Sequence, residues 1–204
     1  MTSPLPDCDV RLLAVHDLPE QPWKNGGGST RELACHPAQA GFNDFDWRIS
    51  IAQVNRDGDF SLFPGVDRHI MLIDGESMPL INKEMGNIHV LQPFEPLSFA
   101  GESPIANTLP HGSTRDFNLM LRRGRAQGNL HAWRDGAGPC VLPAGFHLLY
   151  AARGTGRITL TERDWSLNNE QALAIECSND IPIVWQPLCA TAVLVHAVLV
   201  SPLD

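Results

Sequence analysis

An all-β fold of barrel or sandwich type is predicted by three features of the sequence. Short segments alternate apolar and polar residues, glycines and prolines punctuate the chain from end to end, and helix-length periodicity is scarce. The chain has 204 residues, 43% of them hydrophobic, enough for one compact unit or two small intimate halves.

WRISIAQV (47–54) alternates with period two, and so do HIMLI (69–73), FNLMLRR (117–123) and GRITLTER (156–163). ALAIECS (172–178), IPIVW (181–185) and AVLVHAVLV (192–200) complete the set of expected strands. A short helix is expected near residues 36–46 or 104–112. IMLIDGESMPLI (70–81) and YAARGTGRITL (150–160) share the form strand, glycine turn, strand, with Gly75 and Gly154 in the turns. Glycine-centred hairpins recur in many β proteins, but two fused barrel halves also fit this echo and this length.

Composition excludes several classes of function. The balance of 15 basic against 23 acidic residues, with RRGR (122–125) the densest basic run, argues against a nucleic-acid-binding face. MTSPLPDCDV lacks a basic region followed by an apolar run, so no signal peptide is expected. AVLVHAVLV is too short to span a bilayer, so no membrane partner is expected either. The five cysteines are scattered without a CxxC pair, and reduced thiols in a cytoplasmic protein are the expectation. The eight histidines form no HxH and no HExxH, so no metal and no other cofactor is expected. No GxSxG elbow and no local nucleophile–base pair exists, so no catalytic residue is assigned. His111, in LPHGSTRDF, lies near Asp116 in sequence, which is a weak pointer to acid–base chemistry.

Period two divides the strands into faces. In WRISIAQV, Arg48, Ser50 and Ala52 share one face and Ile49 and Ile51 the other. In DFNLMLRR, Asp116, Asn118, Met120 and Arg122 oppose Phe117, Leu119 and Leu121. The polar faces turn either to water or to a lumen, where Arg48 and Asn118 would suit a planar carboxylate or amide. Arg48 and Asp116 could also simply pair and tie two strands. PWKNGGGSTREL (22–33) carries three consecutive glycines, each costly to order. Its spacing fits neither a P-loop nor a dinucleotide fingerprint. It is read either as an anion nest beside Lys24 and Asn25, or as a tight loop that lets two strands pass closely. In FPGVDRHI (63–70), Phe63 and Pro64 are expected to pack. Arg68 is read as exposed, as paired with Asp67 or Asp116, or as aimed at the same ligand.

Taken together, PWKNGGGSTREL, WRISIAQVNRDGDFSLFPGVDRHIMLIDG and STRDFNLMLRRG resemble the HutD/Ves family, over roughly residues 10 to 190. The family motif maps onto Trp23, Lys24, Asn25, Gly26, Gly27, Gly28 and Thr30, then onto Trp47, Arg48, Ser50, Phe60, Ser61, Gly65 and Arg68. It ends on Asp116, Asn118, Met120 and Arg123. His69 and His89 are departures, polar where a barrel strand would often be apolar.

The resemblance implies a cupin-like bicupin of RmlC-like jelly-roll type, with two antiparallel barrel halves near 10–125 and 126–204 and room for strand exchange between them. It also implies a role in modulating bacterial histidine utilisation in the HutD branch, or in stress response in the Ves branch. The expected ligand is a small carboxylate such as urocanate or N-formylglutamate. Its binding residues would be Lys24, Asn25, Gly26, Gly27, Gly28, Thr30, Arg48, Ser50, Arg68, Asp116 and Asn118, with Asp116 orienting an arginine. Two alternatives remain: a metal-independent isomerase or hydrolase, and a stress-related interaction protein without a ligand. A homodimer is the candidate assembly.

Overall fold

The computed structural model describes residues 8–134, 136 and 140–200, so the first seven residues of the stretch read for a leader fall outside it. In chain order the strands are β1 (Cys8–Ala14), β2 (Glu20–Pro22), β3 (Gly28–His36), β4 (Trp47–Val54), β5 (Gly58–Asp59) and β6 (Val66–Asp74). There follow β7 (Met78–Asn82), β8 (Ile88–Leu91), β9 (Pro96–Ala100), β10 (Ile105–Asn107), β11 (Thr114–Arg122) and β12 (Gln127–Trp133). The rest are β13 (Cys140–Leu142), β14 (Gly145–Arg153), β15 (Gly156–Leu160), β16 (Arg163–Leu167), β17 (Gln171–Cys177), β18 (Ile181–Pro187) and β19 (Val193–Val200). Helical structure among the described residues is confined to the 3-10 turn Val15–Asp17.

The chain divides into two units. One is the contiguous stretch Leu18–Leu130; the other combines Met1–Asp17 with His131–Asp204. In the contiguous unit, a six-stranded sheet runs β2-β3-β4-β11-β6-β9 and a four-stranded sheet β5-β10-β7-β8. Ile70 and Leu72 of the first sheet pack with Met78, Leu80, Leu91 and Ile105 of the second. The other unit holds a four-stranded sheet, β13-β18-β15-β16, and a five-stranded one, β1-β17-β14-β19-β12; the boundary at Leu130 falls within β12. Leu149, Leu173, Ile175 and Leu194 of its larger sheet meet Leu142, Ile158, Leu160, Ile183 and Trp185 of its smaller one. Each sheet thus buries one face against its partner, as sandwiches and barrels require.

The segments around Gly75 and Gly154 are not hairpins. β6 and β7 lie in different sheets, as do β14 and β15. Each glycine, at φ 111° and 70°, turns the chain from one sheet of its unit into the other. No helix forms at 36–46 or 104–112. In the first stretch successive turns consume the backbone: Ala40 N–H donates to Pro37 O and Asp44 N–H to Gly41 O. Arg122 then holds this loop, its Nε and Nη2 donating to Phe45 O and Asn43 O at 2.8 and 3.0 Å. In the second, Ile105–Asn107 is drawn out as β10 between β5 and β7.

The cysteine expectation is also corrected. Cys8 and Cys177 are directly opposite on β1 and β17, 4.3 Å apart at Cα, and are joined by a disulfide; Cys35, Cys140 and Cys189 are free. No helix of the described residues is long and apolar enough to cross a membrane.

Candidate functional site: a cavity at the centre of the six-stranded sheet

β4, β11 and β6 are neighbours, and their register fixes what meets on the inner face. Met120 pairs with Arg48 on one side and Arg68 on the other, so two arginines flank it in one row. Asn118 pairs with Ser50, and Asp116 with Ala52. This face is buried rather than wet: Arg48 and Asn118 are 5% exposed, Arg68 8%, and Ser50 and Asp116 2%. It borders a cavity of about 560 Å³. The β2–β3 hairpin adds Gln21, Pro22, Trp23, Lys24, Asn25 and Thr30; the 37–46 loop adds Phe42; Asp59, Phe60, Ser61 and Phe63 close another side.

The two arginines are held differently. Arg48 Nε donates to Glu32 Oε2 at 2.7 Å, Nη1 reaches Ser50 Oγ at 3.4 Å, and the guanidinium lies 4.8 Å from the Phe42 ring centre. It does not pair with Asp116. Arg68 is neither exposed nor bonded to Asp67, which pairs with Arg123 instead. Its guanidinium sits among the rings of Phe60, Phe63 and Phe99 at 5.0, 5.8 and 5.2 Å, an arrangement that favours a cation. Its Nη2 donates to Asn118 Oδ1 at 2.9 Å, and Asn118 Nδ2 donates in turn to Asp116 Oδ1. Asp116 therefore orients an arginine only through Asn118.

Two atoms of this relay, Arg68 Nε and Asp116 Oδ2, are buried without a hydrogen-bond partner. Burial pushes the Asp116 carboxyl up to about 7, against the opposing pull of Asn118 and Arg68. Burial chiefly, with Asp116 raising it and Arg48 lowering it, brings Arg68 down to about 10, so it stays charged at neutral pH.

Of the residues singled out from sequence, Lys24, Asn25, Thr30, Arg48, Ser50, Arg68, Asp116 and Asn118 line this one cavity. Gly26, Gly27 and Gly28 are not among its lining residues, and the amides of Gly26 and Gly27 are bonded within the loop. Gly26 N–H donates to Trp23 O, Gly27 N–H to Asn25 Oδ1, and Trp23 N–H to Gly28 O. The glycines shape the hairpin that carries Lys24, and two of the three amides an anion nest would use are already bonded. Thr30 Oγ1 accepts from Trp23 Nε1 at 2.8 Å, which props the indole. His111 lies outside the cavity lining, 3.6 Å from Glu76.

Sequence reasoning missed Glu32, whose position opposite Ser50 emerges only from the β3–β4 register, and Phe42, which sits in a turn-rich loop with no periodicity to mark it. Phe63, before Pro64, was legible as a packing residue, whereas Phe60 was marked only by the family motif. Among the described residues no three His, Cys, Asp or Glu side chains are placed to hold a metal ion.

A sequence model of the HutD family matches residues 15–192. A Pseudomonas putida protein, described as an uncharacterized 21.2 kDa protein in the hutC 3' region, is 36% identical over 155 residues, covering 76% of this chain and 80% of its own length. Protein Ves of Cronobacter sakazakii is 39% identical over 119 residues, 58% of this chain and 64% of its own. Among solved structures, a conserved protein of unknown function from Pseudomonas aeruginosa PAO1 superposes with a TM-score of 0.87 at 30% identity, over 95% of this chain and 100% of its own. HutD from Pseudomonas fluorescens SBW25, solved in a formate condition, superposes with a TM-score of 0.78 at 26% identity over the same shares. A cupin 2 conserved barrel domain protein from Leptotrichia buccalis, 9% identical, shares the fold alone at a TM-score of 0.53, over 94% of this chain and 96% of its own. The fold is all-β and cupin-like.

Proposed function

The chain belongs to the HutD family, and from that premise we propose that it is a receptor for a small carboxylate of histidine breakdown, acting in regulation of that pathway. The observation that carries this reading is Arg68. It is a buried guanidinium in the cavity wall with no carboxylate in contact and with Nε–H unpartnered. A buried cation in the wall of a cavity favours an anion that supplies the missing acceptor. Lys24 at the hairpin tip adds a second positive group, and Asn25, Thr30, Ser50 and Asn118 supply polar contacts. The hutC 3'-region name of the Pseudomonas putida relative supports the pathway, and the formate condition of the HutD crystal is compatible with a carboxylate.

The test is calorimetric titration with urocanate, N-formylglutamate and formate, with the same mixtures followed for product. Saturable binding of at least one of them without turnover is expected. No binding to any of the three overturns the receptor reading.

Asp116 favours a second reading, a metal-independent isomerase or hydrolase. A carboxyl raised to about 7 in a cavity wall suits a general acid or base. Product formation that is lost in Asp116→Asn would establish that alternative. The ligand-free interaction module has less support, because its polar strand faces would be exposed and here they are buried around a cavity.

A further inference from the structure

Asp116 poses a difficulty for the receptor reading, on which this inference rests. An ionised carboxylate in the wall of an anion cavity repels the ligand the cavity is meant to hold. The hydrogen bonds around Asp116 resolve the difficulty. Arg68 has only N–H groups to offer, so Asn118 must turn its oxygen towards Arg68 and its NH2 towards Asp116. Asp116 Oδ1 is therefore an acceptor, and a proton on this carboxyl resides on Oδ2. Oδ2 is the oxygen that is buried and unpartnered. Ionised, it is a buried acceptor with nothing to accept. Protonated, it is an O–H donor with nothing to receive it, and the Nε–H of Arg68, which lines the same cavity, is in the same condition. Two orphaned donors on residues that line one cavity each call for an acceptor, and a carboxylate brings two.

We propose that the cavity takes up its ligand together with one proton, with Asp116 in the complex as a neutral acid whose Oδ2–H donates to the ligand carboxylate while Arg68 supplies the charge. The proton comes from solvent and returns to it on release, and no covalent bond changes. The other charged groups at the site are Arg48 on β4 with its partner Glu32 on β3, Lys24 on the β2–β3 hairpin, and Asp59 on β5, which pairs with Lys83. No histidine lines the cavity. Burial sets the Asp116 carboxyl near neutrality, at about 7, so the proton is exchangeable under ordinary conditions.

The experiment is titration calorimetry of the whole protein with formate and with N-formylglutamate, neither of which titrates near neutrality. It is run from about pH 6 to about pH 8.5, in buffers of different ionisation heat. Affinity is expected to fall as pH rises, approaching about tenfold per pH unit at the alkaline end, with uptake approaching about one proton per ligand. In 13C-carboxyl spectra, the Asp116 signal should titrate at higher pH in the complex than in the free protein. Asp116→Asn, whose Nδ2 can replace the Oδ2–H as donor, should bind with an affinity that does not change with pH. If that variant does not fold, the wild-type series decides alone. Binding that is equally tight across the range, or without proton uptake, overturns this inference and leaves the receptor reading standing. Absence of binding at every pH overturns both.

Discussion

Arg48 and Arg68 flank Met120 in one row of the sheet, and the sequence offers no means of ranking them. Their partners do rank them. Glu32 already neutralises Arg48 at 2.7 Å, whereas Arg68 hydrogen-bonds the neutral amide of Asn118 and lies over three phenyl rings, with no carboxylate in an ion pair. Removing an unneutralised buried donor from a ligand carboxylate costs about 2–5 kcal/mol. Arg68→Met is therefore expected to weaken N-formylglutamate or formate binding by more than about tenfold, and Arg48→Ala by less. Titration of the two folded variants decides, and the reverse ranking would show that Glu32 releases Arg48 when ligand enters. The strand period did put Arg48 with Ser50, and Asp116 with Asn118, on one face of each strand; the β4–β11 register brings the two pairs together. Their burial was not legible, because an alternating strand reads alike whether its polar face meets water or a cavity. Asp116 also has a consequence for stability. Its carboxyl titrates at about 7 when folded against 3.8 ordinarily, so between those values the folded state holds a proton that the unfolded state has lost. Stability from this group is full below the lower value and is lost as pH rises through the higher one. Asp116→Asn, which cannot ionise, is expected to gain on the wild type by about 2 kcal/mol or more at about pH 8, and to gain least at about pH 4. Thermal melts across that range check the trend, and a constant difference would contradict it.

At the level of single elements, legibility followed alternation. WRISIAQV is β4 to the residue, the other alternating runs fall in β6, β11 and β15, and the remaining expected strands fall in β17, β18 and β19. β3 was missed because STRELACH mixes charged and small residues, and its partners on both sides, not its own pattern, make it a strand. The glycine block is where β3 begins. Gly28 faces Val54 of β4 so closely that a Cβ would stand 2.1 Å from the Gln53 carbonyl oxygen and 3.1 Å from the Trp23 ring. Neither backbone can yield without opening the β3–β4 ladder. Gly26 is glycine for a different reason: its φ is 68°, and a Cβ there would meet nothing within 4 Å. Gly28→Ala is accordingly expected to destabilise by about 2–4 kcal/mol, through overpacking against backbone. Gly26→Ala should cost only about 1 kcal/mol, the price of a left-handed backbone. Denaturant unfolding of both variants tests the contrast, and equal losses would mean that the loop, rather than the strand approach, sets the need for glycine.

Across the whole molecule, the feature hardest to read from sequence is that both ends of the chain build the same unit. β1 joins the edge of a five-stranded sheet through β17, on the far side of the sequence from it. CDVRLLA alternates apolar and polar residues only over Cys8–Leu12 before Leu13 and Ala14 break the period; it is not among the strands expected from sequence, and with β1 unrecognised nothing draws Cys8 towards Cys177. Spacing alone could not do so either, since the two cysteines are 169 residues apart. The expectation of five reduced thiols failed at this point. A bridge closing so long a loop removes much of the freedom of the unfolded chain, and bridges of this kind typically stabilise by about 2–4 kcal/mol. Cys8→Ala, or reduction of the wild type, is therefore expected to lower the unfolding free energy by about that amount. The loss should be felt first in β1, whose ladder bonds go to β17 alone; its backbone amides should exchange faster than those of β14, which is paired on both sides. Thiol titration of the unreduced, denatured protein offers the most direct check. Three reactive thiols, those of Cys35, Cys140 and Cys189, are expected, and five would overturn the bridge.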